Sequence, residues 1–93
     1  MSKQIRSHTF RGKRWKIVFE PRIHDHGSID PPCQKEKGIR LKNSQSVSEF
    51  DQFETAIHEG LHACFWDINE DPIDKSSHDI TRFLWRLGYR KVE

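Results

Sequence analysis

The sequence predicts an α+β domain: a small, mainly antiparallel sheet of about three strands packed with two helices. Three observations carry this. Hydrophobic residues recur with a period of two in the first half of the chain and of three to four in the second. A strand-rich part over residues 1–45 therefore gives way to a helical part over 46–93. The length of 93 residues suits one domain with one modest core. About a third of the residues are charged and a third hydrophobic, with 11% aromatics, which is the composition of a folded chain rather than a disordered one.

The elements follow in order. In "HTFRGKRWKIVFE", Trp15, Ile17 and Phe19 alternate with Lys16, Val18 and Glu20, the period of a half-buried strand. Gly12 within residues 11–14 marks a hairpin turn back to an earlier strand over roughly residues 5–10, and Pro21 ends the second strand. Residues 22–37, rich in Gly, Pro and charge, read as a loop; the histidines His24 and His26 are expected to be solvated there. Ile39 and Leu41 in "GIRLKN" mark a short third strand, read as a sheet edge able to pair with an extended peptide.

From Ser46 the period changes. Phe50, Phe53, Ile57, Leu61 and Cys64 make one helical stripe, expected to face the core. Ser46 with Glu49, or Ser48 with Asp51, supplies a capping box, and the helix should run to Phe65 or Trp66. A second helix is expected to start near Asp71, where the acid precedes Pro72. Ile73, Ile80, Leu84 and Leu87 form its stripe with Phe83 at the edge, and Gly88 is its natural stop.

Charge and cysteine usage narrow the function classes. No segment approaches the length of a membrane span, and "MSKQIRSHTF" lacks the apolar run of a secretion signal, so a cytoplasmic protein is expected. Cys33 and Cys64 are too few and too far apart for a cysteine zinc site, and read as free thiols. Lys3, Arg6, Arg11, Lys13, Arg14, Lys16 and Arg22 face one acid, Glu20, in the first 22 residues. That excess suits either a solvated sheet face or a surface for nucleic acid or an acidic partner, though no nucleic-acid motif accompanies it.

The chemistry lies in "ETAIHEGLHACFWDINED". With the apolar stripe at zero and about 100° per residue, His58 and His62 fall near +80° and +120°, one turn apart on the stripe's flank. Glu59 projects further round, within reach of a water. In H-E-x-x-H, two neutral imidazoles bind Zn²⁺ and the carboxylate takes a proton from the attacking water. A catalytic zinc site needs a third protein ligand. Glu70, His78 and Asp79 are the candidates. For helices paired across their stripes, Glu70 extrapolates to about +80°, His78 to about +160° and Asp79 to about −100°, which puts Glu70 on the histidines' side. Gly60 lies mid-helix, either for close approach of a neighbour or simply tolerated.

"AIHEGLHACFWDINEDPIDKSSHDITRFLWRLGYR", with "GSIDPPCQKEKGIRL" before it, resembles a family of small, largely phage-encoded metallopeptidases of the zincin, gluzincin-like type. The likeness lies in residues 58–63, 68–73 and 84–89 and takes in about two thirds of the chain. Pro72 and His78 depart from the family pattern. The resemblance implies a minimal zincin-like domain and a zinc-dependent peptidase acting on a protein or peptide. It also implies His58 and His62 as ligands, Glu59 as base, Glu70 as third ligand, and the host cytoplasm as location if the chain is phage-encoded. The competing expectation is a non-catalytic module in which zinc is structural and the basic N-terminal sheet contacts nucleic acid or a partner protein.

Overall fold

A tight turn starts the sheet. Arg11 and Gly12 both take positive φ, 49° and 79°, as a two-residue hairpin requires. The turn joins β1 (Ser7–Phe10) to β2 (Lys13–Glu20), antiparallel, with His8 opposite Trp15. The computed structural model describes residues 5–21, 26–43 and 46–91. Its remaining elements are β3 (Gly27–Ile29), β4 (Gly38–Lys42), α1 (Glu49–Cys64) and α2 (Glu70–Arg86).

The fold is α+β, with four strands in the order β1-β2-β4-β3 rather than about three. β2 and β4 run parallel, flanked by two antiparallel pairs, so the sheet is mixed. β3 lies inside the segment expected to be a loop. Three residues are too few to express a period of two, and Gly27 and Ser28 carry little strand propensity. Residues 22–25, also in that expected loop and including His24, lie outside the described residues. β4, expected at an edge, is an inner strand; β3 is the edge instead.

One face of the sheet carries the core. Trp15, Ile39 and Ala63 are buried together, with Phe10, Ile17, Ile29 and Leu41 packed round them. The indole of Trp15 donates to Asp30 O at 3.1 Å, which satisfies its N–H inside the core. The Asp30 carboxylate accepts from Gly38 N and from both terminal nitrogens of Arg40, whose Nε donates to Ser28 Oγ at 2.7 Å. This cluster ties β3 to β4.

Ser48 starts α1: its Oγ accepts from Asp51 N at 3.1 Å. At the other end Arg11 donates to Cys64 O at 2.9 Å, a cation on the carbonyl terminus of the helix. Small residues let α1 lie close on the sheet. Ala63 joins the core, Gly60 meets the Phe10 ring, and Thr55 and Glu59 adjoin Gly27 of β3. Phe50, on the stripe expected to meet the core, instead packs edge-on to Trp85 of α2. The rest of that stripe is only half-buried.

α2 ends as the sequence predicts. Gly88 takes φ +97°, and the Gly88 N to Trp85 O and Tyr89 N to Leu84 O bonds form a Schellman motif. Its buried face departs from expectation. Ile73 is buried, but its companions are Ser77 and Thr81, while Ile80 and Leu87 are exposed. α2 packs on α1 and makes no contact with the described strands. None of the described helices is long and apolar enough to cross a membrane.

Candidate metal centre

The first turn of α2 delivers a carboxylate to the histidines of α1. His58 and His62 lie one turn apart, with their Nε2 atoms separated by 3.1 Å. Glu70, the first residue of α2, brings Oε1 to 2.8 Å from His58 Nε2 and Oε2 to 2.9 Å from His62 Nε2. The loop places it there: Ile68 N donates to Phe65 O at 3.0 Å, and Asn69, in extended backbone and without a side-chain cap bond, takes the N-cap position of the new helix.

The donor atoms suit a small dication. Three ligands at about 2.0–2.1 Å from a tetrahedral zinc lie roughly 3.3 Å apart, close to the spacing of these nitrogens and oxygens. The hydrogen bonding behind His58 points the same way. Ser77 Oγ donates to Asp74 O at 2.9 Å, so its lone pairs face His58 Nδ1 at 3.3 Å and favour a proton on that nitrogen. The Nε2 lone pair then faces a carboxylate oxygen. That leaves Nε2, 2.8 Å from Glu70 Oε1, as the nitrogen available to a metal.

Glu59 belongs to a different environment. It is 5% exposed, with its carboxylate between α1 and β3. The sequence set it on the flank away from the core; the structure turns it against the sheet, since the small row of α1 faces that way. Burial pushes its carboxyl up from an ordinary 4.5 to about 7; His58 opposes this, Glu70 adds to it, and Arg40 opposes it. One ligand atom each from His58, Glu59 and His62 lies within 4.8 Å of the others.

Gly27 makes room for this carboxylate. A Cβ there would lie 2.7 Å from Thr55 Cγ2, 2.9 Å from Arg40 O and 3.3 Å from Glu59 Oε2. An open cleft of about 620 Å³ runs between β3 and α2, lined by Gly27, Ile29, His58, Glu59, His62 and Glu70. Trp66 closes one side, its ring 6.4 Å from that of His62.

The other sequence candidates go elsewhere. His78 Nδ1 pairs with Glu54 Oε1 at 2.6 Å. Asp79 is exposed beside Arg82 and Phe83. His26, expected to be solvated, is exposed yet lines the cleft. Cys33 and Cys64 are both free. Sequence reasoning passed over Ser77 and Gly27. The placement of Ser77 four residues after Ile73, on the same helical face, was the available signal for the first; nothing local marked the second.

Comparison with family models, with curated proteins and with solved structures gives no match.

Proposed function

We propose that the chain is a zinc-dependent peptidase. The observation that carries this reading is the convergence of His58, His62 and Glu70 within 2.8–3.1 Å of one another, beside a buried Glu59. His58, His62 and Glu70 would hold the ion. Bound Zn²⁺ supplies a Lewis acid that polarises a carbonyl and brings the pKa of a water near 7.

The chain's own groups do the rest. Glu59 takes a proton from the water as its oxygen adds to the scissile carbonyl carbon. When the C–N bond breaks, Glu59 returns that proton to the leaving nitrogen. Burial against Gly27 of β3 fixes the position of this carboxylate for both transfers. The edge strand receives the peptide. His26 O and Asp30 N bond back to β4, so the N–H and C=O of Gly27 and Ile29 point away from it and can pair with an extended chain. His26 and Thr55 also border an apolar hollow of about 400 Å³ under Phe19, Leu41 and Phe53, a place for one apolar substrate side chain.

The test is zinc content and peptide-library cleavage by wild type and Glu59→Gln. Both proteins should hold zinc, and only the wild type should cleave, with a loss of about 10²–10⁴-fold in the variant. Cleavage retained by the variant would remove Glu59 from the mechanism. A second reading, a zinc-stabilised binding module, draws on the exposed Lys13, Arg14 and Lys16 of β2. It requires salt-sensitive DNA binding with no cleavage.

A further inference from the structure

Part of the apolar surface of α2 faces out of the molecule. Ile80, Phe83 and Leu87 are 38%, 62% and 59% exposed, while the face turned to α1 holds Ser77 and Thr81. Ile80, Phe83 and Leu87 follow one another at spacings of three and four, so they form a continuous ridge about two turns long. Asp79, Arg82 and Arg86 flank this ridge and, with Phe83 and Leu87, line a shallow groove. None of these three charged residues makes an ion pair with another described residue. An uncovered apolar ridge with unpaired charges of both signs along one side is the anatomy of an interface.

We propose that α2 pairs antiparallel with α2 of a second copy of this chain, about a two-fold axis at Phe83. The charge pattern selects this occupant. With Ile80 at zero, Leu87 and Phe83 fall near −20° and −60°, and Asp79 and Arg86 near −100° and −120°, all on one flank. A two-fold axis across antiparallel helices sets like flank against like flank and inverts the order along the helix. Asp79, four residues before the axis, then meets Arg86 of the partner subunit, three residues after it. The pair occurs twice. Ile80 likewise meets Leu87 of the partner subunit, and the two Phe83 rings meet at the centre. A parallel two-fold pairing would instead set this flank against the opposite flank of the partner subunit, which carries Ser77, Thr81 and Leu84, and would leave Asp79 and Arg86 unmatched. On the same scale Ser77 falls near +60°, about a quarter turn from the ridge, and the contact uses none of the residues of the metal centre, so it is independent of the metal reading.

Sedimentation equilibrium over loadings from about 1 µM to about 1 mM, a span that covers weak and moderate dimers, tests this. Wild type should be a concentration-dependent dimer, and Phe83→Ser should weaken it by about thirtyfold or more. Phe83 is exposed, so circular dichroism of the variant should match wild type. Asp79→Arg should also weaken the dimer, and Asp79→Arg with Arg86→Asp should restore it to within a few-fold. A monomer at every loading, a higher oligomer, a dimer indifferent to Phe83→Ser, or a double variant that stays weak would each overturn the proposal.

Discussion

The Ser77 hydroxyl donates to Asp74 O and faces His58 Nδ1 at 3.3 Å, so an alanine there frees the His58 ring to rotate and change tautomer. Ser77→Ala should weaken zinc binding by about 10–100-fold while the helix stays formed, as read by competition with a chromophoric chelator. Two glycines should respond in opposite ways. A Cβ on Gly60 would meet only the Phe10 ring, at 3.6 Å, which is ordinary contact, so Gly60→Ala should raise stability by up to about 1 kcal/mol in urea unfolding. Gly27→Ala, with backbone at 2.9 Å, should lower stability and displace Glu59. At this scale the spacing of His58 and His62 was legible because it is fixed within one helix. The burial of Glu59 was not, since it depends on which face of α1 meets the sheet.

Among the elements, β3 and β4 are joined by Asp30 and Arg40, 2.7 Å apart. The Arg40 hydrogen bond and that from Gly38 N hold the Asp30 carboxyl below its ordinary 3.8. A depressed carboxyl stabilises the fold above its unfolded-state pKa and loses that contribution as pH falls through the folded value. Asp30→Asn should therefore cost about 1–2 kcal/mol at neutral pH, and the gap from wild type should shrink as pH drops below 3.8. Denaturant unfolding at several pH values reads this directly. The helix ends were legible, because Ser48 and Gly88 act through local backbone chemistry. The buried face of α2 was not. Ser77 and Thr81 read as polar surface, yet their hydroxyls bond to Asp74 O and Ser77 O of their own helix, which lets both be buried. The strand hidden at Gly27–Ile29 was too short to show a pattern.

At the scale of the molecule, the layers are joined unequally. α1 touches both sheet and α2, whereas α2 rests on α1 alone among the described elements. An ion held by His58, His62 and Glu70 would clamp the start of α2 to the middle of α1. In so small a chain that clamp should be visible as stability: zinc at about 100 times its Kd adds about 2.7 kcal/mol to unfolding, and a chelator should lower Tm accordingly. Calorimetric titration of metal-stripped wild type and Glu70→Gln with Zn²⁺ is the most direct measurement. One zinc per chain is predicted for wild type, with at least about tenfold weaker binding in Glu70→Gln, in line with the loss of a charged ligand. No zinc binding by wild type, or equal affinity in both proteins, would contradict a centre built from His58, His62 and Glu70.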